Sequence, residues 1–378
     1  MDQKHFEGRR LMLSEKVLFA LNNVDDSFLE EANNLLERSA PTQHALNKRT
    51  LRVILIAAVL AALLAACGIG YSIHQRRQQE LRENLKIEEN NVTSYKEYES
   101  QPQSDASGVT LLSTVNDGEL QKVFVDVSPV EKDIIDRYPE TVGFAWKLDG
   151  MHLNGEEYWM TARPNLKDDS SISDEGDIHE AVLNDAYDEK TKTLTLKFSI
   201  LNTAIAQAQA YENSERVHLT LTLWDRQAQA DANVGLSAEW LNSQKSFGSV
   251  WFVPSDREVR YFEFNHLLYY NEELDRELEI LGLELTPFSA IWKMHFEGAE
   301  KLHNPNADWD ALKPWAMLEE KIAMEAKLVF PDGSDFSTGG SQTSIFEDGV
   351  VKLYCSWDSA INIDNVQRIV FGDLILWE

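Results

Sequence analysis

Twenty-one consecutive residues without a charge, Val53 to Ile73, constrain this chain more than any other feature. As a helix rising about 1.5 Å per residue, VILIAAVLAALLAACGIGYSI is long enough to cross a hydrocarbon core of roughly 30 Å. A buried core helix of that length would normally carry a polar face. The segment is therefore read as one transmembrane helix, residues 53–73, dividing a short region from a long one.

Charge divides at the same place. The 378 residues carry a formal net charge of −28. Residues 1–52 set Lys4, Arg9, Arg10, Lys16, Arg38, Lys48, Arg49 and Arg52 against Asp2, Glu7, Glu15, Asp25, Asp26, Glu30, Glu31 and Glu37, a sum of zero. All of the acidic excess follows the span. Such a surface repels phosphate backbones, so nucleic acid is not expected as a partner. Lys48, Arg49 and Arg52 precede the span and Arg76, Arg77, Arg82 and Lys86 follow it, which leaves the positive-inside rule close to a tie. A small neutral region followed by a large acidic payload favours a cytoplasmic N-terminus. The C-terminal part is then extracytoplasmic, and the lipid bilayer is one partner.

The two cysteines cannot pair across a membrane, because Cys67 lies within the span and Cys355 near the far end. No disulfide framework or zinc site can be written from them. Leu64, Ala65, Ala66 and Cys67 also spell the Leu-small-small-Cys pattern of bacterial lipoproteins, and lipidation at Cys67 is a rival reading in which residues 1–66 are lost. Against it, about fifty helix-patterned residues precede the apolar run, where a signal peptide has only a short basic leader.

Within residues 1–47, apolar residues at 17, 18, 21, 24, 28, 32, 35 and 36 recur at helical spacing. Asn22 and Asn23 interrupt the run, and Ser27 with Glu30 stands in capping-box register for a second helix. A pair this short is marginal alone and needs a partner or a membrane surface. The partner-binding face is assigned to Val17, Leu18, Leu21, Val24, Phe28, Leu29, Leu35 and Leu36, by helix-in-groove contacts. Residues 74–107 read as a polar stalk and flexible linker.

From residue 108 the period changes to two. VFVDV (123–127), TLTLKFSIL (193–201) and VHLTLTLWD (217–225) alternate as half-buried strands do. A second set comprises SVWFVP (249–254), VRYFEFN (259–265), 278–298, AKLVFP (326–331), VVKLYCSW (350–357) and 367–378, with Pro331-Asp332-Gly333 and Asp348-Gly349 as turn markers. The expected fold is mainly β: a helical arm, one span, and two antiparallel β-sandwich domains over 108–245 and 246–378.

Three pieces then match a family in order. Ala20-Leu21-x-x-Val24-Asp25-Asp26-x-Phe28-Leu29-Glu30-Glu31-Ala32 precedes one span; LELTPFSAIW (283–292) follows a segment of the type FEFN; and FPDGSDFSTGGSQTSIFEDG with AINIDNVQRIVFGD closes the chain. This arrangement resembles the Gram-positive single-pass membrane proteins of unknown-function domains that are described as anti-sigma-factor-like. The resemblance covers nearly the whole chain. It implies a cytoplasmic arm that can hold an extracytoplasmic-function sigma factor, and two immunoglobulin-like domains outside. The zinc-type His-x-x-x-Cys-x-x-Cys cluster is missing, since the N-terminal region has His5 and His44 but no cysteine.

No catalytic signature stands out: His179 has no second histidine at metal spacing, and Gly68 and Gly70 fall inside the span. Asn304, Asn306, Asp308 and Asp310 alternate like a calcium loop, but Trp309 and Trp315 occupy the glycine and bidentate-glutamate positions. That segment and the acidic run Asp168, Asp169, Asp174, Glu175 and Asp177 are read as solvated loops. Neither a cofactor nor a metal is expected, and the chain is read as non-enzymatic. Five of the ten tryptophans, Trp146, Trp159, Trp224, Trp251 and Trp292, are spread over the β region, where core packing and a stacking platform for carbohydrate are both open readings. The leading expectation is a membrane-anchored regulator. The alternative is a cell-surface binding or adhesion protein.

Overall fold

The computed structural model describes residues 73–98, 108–153, 156–157, 159–166, 175–232, 237–271, 276–296, 317, 321, 324–339, 341–347, 349–357, 359–372 and 374–378. The arm, Cys67 and all of the apolar span except Ile73 lie outside them. Among the described residues no helix is long and apolar enough to cross a membrane. The chain divides into two compact units, Met1–Gln79 with Glu99–Ser107, and Glu80–Tyr98 with Gly108–Glu378. Of the first unit only residues 73–79, which are helical, are described. The second unit is mainly β, and every strand pair among its described residues is antiparallel.

Its first half contains β1 (Tyr95–Glu97), β2 (Val109–Asp117), β3 (Leu120–Val127), β4 (Val142–Leu148), the short hairpin β5 (His152–Leu153) and β6 (Glu156–Glu157), β7 (Met160–Pro164), β8 (Tyr187–Asp188), β9 (Thr193–Leu201), β10 (Val217–Asp225) and β11 (Ser246–Phe252). The main sheet runs β1-β2-β3-β9-β7-β4-β10-β11, with β8 added to β9. Alternation decides which face is wet. Leu194, Leu196, Phe198 and Ile200 are buried, while Lys197 and Ser199 between the last of them are not. The sheet curls back on itself where Gly108 N, beside β2, donates to Phe247 O of β11 at 2.8 Å, while Ser128 N at the end of β3 donates to Gly108 O at 2.7 Å. A Cβ at Gly108 would stand 2.3 Å from Ser128 O, so this approach requires glycine. The helix Asn202–Glu212 adds Ala204, Ile205 and Ala208 to the core, and Asn213 ends it in the left-handed region at φ +48.

The second half contains β12 (Arg260–Asn271), β13 (Arg276–Leu285), β14 (Ser289–Phe296), β15 (Ala326–Val329), β16 (Asp335–Ser337), β17 (Ser341–Glu347), β18 (Val350–Ser356), β19 (Arg368–Phe371) and β20 (Leu374–Trp377). A five-stranded sheet, β12-β13-β14-β18-β17, and a four-stranded one, β16-β15-β19-β20, share one core in a sandwich-like pair. Ile280, Leu283, Trp292 and Leu353 come from the first sheet and Ala326, Leu328, Ile369 and Phe371 from the second. The strand at 246–252 sits elsewhere than expected. β11 hydrogen-bonds to β10, so it belongs to the first sheet, and the crossing to the second falls at 253–259.

Residues 80–98 also differ from expectation. In place of a polar stalk leading into a flexible tether, they pack against the β fold. Leu81, Leu85 and Ile87 form one buried cluster with Leu112, Val115 and Phe124 of the first half and Phe288 and Ala360 of the second. Ala360 N donates to Leu85 O at 2.9 Å, and Thr93 and Ser94 backbone N–H groups both donate to the Glu258 carboxylate. β1 then pairs with β2. Burial of three apolar side chains, about 1.5–3 kcal/mol each, does not by itself offset the ordering of this segment, so the hydrogen bonds and the pairing with β2 complete its docking.

At the same seam, the turn between β2 and β3 meets the turn between β13 and β14. Asp117 has a fully buried side chain; Lys122 Nζ lies 2.8 Å from its Oδ2 as an ion pair, and Thr286 Oγ1 donates to its Oδ1 at 2.9 Å. Lys122 also donates to Trp357 O at 3.4 Å and sits 5.0 Å from the Phe288 ring centroid. Beside this pair, Glu284 accepts from Arg257 Nη2 at 2.7 Å and pairs with Lys293. Burial alone would raise the Glu284 carboxyl, but Lys293 and Arg257 outweigh it and hold the group below its ordinary value. A depressed folded-state value stabilises above the unfolded value and is lost as pH falls through the folded one. The urea midpoint should therefore drop on acidification below the ordinary glutamate value of 4.5. Glu284→Gln should lower the neutral-pH midpoint and narrow the difference between pH 7 and pH 4; an equal difference in both proteins would refute this role.

Candidate functional site

The face of β7, β4, β10 and β11 turned away from the core concentrates aromatic and polar side chains. Inward positions Trp146, Leu148, Leu219 and Val250 are buried, so their neighbours Lys147, Asp149, His218, Thr220 and Trp251 stand on the opposite face. Register aligns them in two rows. Lys147 pairs with Thr220 and Thr220 with Ser249; in the next row Asp149 N donates to His218 O at 3.1 Å and His218 pairs with Trp251. Lys147 Nζ lies 5.2 Å from the ring centroid of Trp159, which ends the first row. The short helix Ala238–Ser243, capped by Ser237, buries Leu241 and reaches the first row, where Lys147 Nζ donates to Asn242 Oδ1 at 3.4 Å.

Three groups fix one another at the end of the second row. The His218 and Trp251 rings stack with centroids 4.4 Å apart and an interplanar angle of 21°. His218 Nδ1 is 2.6 Å from Asp149 Oδ2, a contact that holds the imidazole ring in place. Trp251 remains 40% exposed. His218 Nε2 and Trp159 Nε1 are buried atoms with no hydrogen-bond partner among the described residues. A buried polar atom without a partner costs about 1–3 kcal/mol, and Trp240 Nε1 of the neighbouring helix is another such atom.

The tryptophans separate by position. Trp146 and Trp292 are core residues at 1% and 0% exposure. Trp224 is engaged locally, its Nε1 donating to Gln229 at 2.8 Å and its ring lying 4.6 Å beneath the Arg226 guanidinium. Trp159 and Trp251 face outward. Sequence reasoning named both, but it missed His218 and Asp149, whose pairing depends on strand register. Histidine opposite tryptophan across two alternating strands was the one available signal.

The arm face Val17, Leu18, Leu21, Val24, Phe28, Leu29, Leu35 and Leu36 and the lipidation candidate Cys67 lie outside the described residues, as do Asn304, Asn306, Asp308, Asp310, Asp168, Asp169 and Asp174. Glu175 and Asp177 fall in the helix Glu175–Ala181. Among the described residues no cluster of three or more histidine, cysteine, aspartate or glutamate side chains is placed to hold a metal.

No protein-family model matches the chain, and no curated protein matches it. Among solved structures, the crystal structure of the conserved domain protein from Bacillus anthracis is similar at a TM-score of 0.35 and 9% identity, over 73% of this chain and 75% of that one.

Proposed function

We propose that the chain is a membrane-anchored, anti-sigma-factor-like regulatory protein. In this reading residues 53–73 span a bacterial cell membrane, with the N-terminus in the cytoplasm. Two immunoglobulin-like β domains outside receive an envelope signal, and residues 1–47 hold a sigma factor. The observation that supports it best is the docking of residues 80–98 at the seam of the two β halves. A segment that follows the apolar span so closely, and is gripped by both halves, gives the β region a direct hold on the chain beside the membrane. The uncharged span and the zero net charge of residues 1–52 support the same division of labour.

A pull-down with residues 1–52 should recover a sigma factor from the host cytosol; recovery of none defeats that part of the reading. The outward Trp159 and Trp251 favour a second reading, a surface-binding or adhesion protein. Deleting residues 1–47 separates the two, since a regulator loses control of transcription and a surface binder keeps its ligand.

A further inference from the structure

We propose that residues 80–98 are a detachable strap that fixes how the two β halves meet, and that the strap leaves as one unit while each half stays folded. This deepens the reading above, from which it takes only that the chain before residue 80 leads to the membrane. The strap holds three things at once. On the first half, Tyr95, Lys96 and Glu97 pair with Val115, Thr114 and Ser113 of β2, and Asn116 N donates to Ser94 O at 3.2 Å. On the second half, Asn90 Nδ2 donates to Ala360 O and Ala360 N to Leu85 O, both at 2.9 Å. Between them it grips the crossing segment 253–259. There the Glu258 carboxylate accepts from Thr93 N at 2.6 Å, Thr93 Oγ1 at 2.9 Å and Ser94 N at 3.0 Å, and Tyr98 Oη donates to Val253 O.

That hold is broad but shallow. Leu81, Leu85 and Ile87 are the strap's buried apolar side chains, and every residue from Glu80 to Tyr98 must be ordered to place them. Docking also leaves Ser94 Oγ buried without a hydrogen-bond partner among the described residues, a cost that release into water removes. The buried cores of the two halves are built without residues 80–98, so neither is opened when the strap departs. A segment with few buried apolar contacts, held largely by hydrogen bonds, is the kind that opens below the global transition. Without it the halves still meet where Thr286 bonds Asp117 and Lys122 bonds Trp357 O, and the crossing is still held at Ser255 by Asn116 and Gln121. Two folded bodies tied at one turn and along one connecting segment can pivot there.

Hydrogen exchange on the full chain in detergent tests the release. The amides of Ile87, Thr93, Ser94 and Tyr98 should exchange at one shared rate, about a hundredfold or more above those of β9 and β10. Asn116 N and Ala360 N lie in the two halves but should follow the strap, because their acceptors are Ser94 O and Leu85 O. Glu258→Ala should speed Ile87, Tyr98, Asn116 and Ala360 together by about tenfold or more, although none of these four amides donates to Glu258. Pivoting is read from spin labels at Lys190→Cys and Asp332→Cys, exposed sites in the first and second halves, in a Cys67→Ser chain whose Cys355 is buried. One narrow distance distribution is expected, broadening when Glu258→Ala or Leu85→Asp is added. Should Leu85→Asp unfold the sheets by circular dichroism, Glu258→Ala carries the test. Strap amides that exchange only with β9 and β10, an effect of Glu258→Ala confined to Thr93 and Ser94, or an unchanged distance distribution in the folded variants overturns the proposal. The pull-down with residues 1–52 reads the cytoplasmic arm alone, so failure there and failure here are separate results.

Discussion

Asp117→Ala is expected to destabilise the β unit by about 3–5 kcal/mol, because it strands the Lys122 ammonium in a largely buried seam. Lys122 is 8% exposed and Asp117 2%, and among the described residues the cation's other contacts are Trp357 O and the Phe288 ring. The pair itself contributes less than its removal costs, since desolvating two charges consumes most of their attraction. Lys122→Met should likewise be damaging alone. The double variant Asp117→Ala, Lys122→Met should be markedly milder than the sum of the two. Urea unfolding of all four proteins in a double-mutant cycle measures this; simple additivity would mean that the two groups do not interact.

Leu85→Asp should undock residues 80–98 while leaving the sheets folded. It forfeits roughly 1.5–3 kcal/mol of leucine burial and would place a carboxylate among Leu112, Phe124 and Phe288, where the nearby Lys122 is already paired with Asp117, so release of the segment becomes the cheaper state. Hydrogen exchange should show lost protection across 80–98, and trypsin should gain access at Arg82 and Lys86, with β10 protected as before. Leu85→Met, close in volume, should cost less than about 1.5 kcal/mol and remain docked. If the proposed coupling holds, Leu85→Asp also disconnects the outer domains from the arm. Unchanged exchange at 80–98 would rule out docking through this cluster.

What could be read in advance followed the physics of each element. β9 and β10 announce themselves because one face is wet, so their polar and apolar residues alternate. β2 and the start of β3 are less legible, although 123–127 could be read as a strand. Both of their faces are covered, so Ser113, Thr114, Gln121 and Lys122 are buried alongside Val115 and Phe124, and the polar ones bear on the seam. Leu81, Leu85 and Ile87 were hidden for a different reason: they lie in a run of charge, and their importance comes from partners more than two hundred residues away at Phe288 and Ala360. The same limit applies to the candidate platform. Alternation assigned Trp251 and His218 to faces, but only pairing of β10 with β11 sets them side by side, and no period within a single strand encodes that.

Cys355 sits at 0% exposure in β18, opposite Ala290 of β14. A thiol reagent can reach it only while the second half of the β unit is open, so its modification rate in a Cys67→Ser chain counts openings. The protein thus carries an internal stopwatch for the sheet pair beneath the seam, one that can be run in whole cells, where calorimetry and denaturant titration cannot.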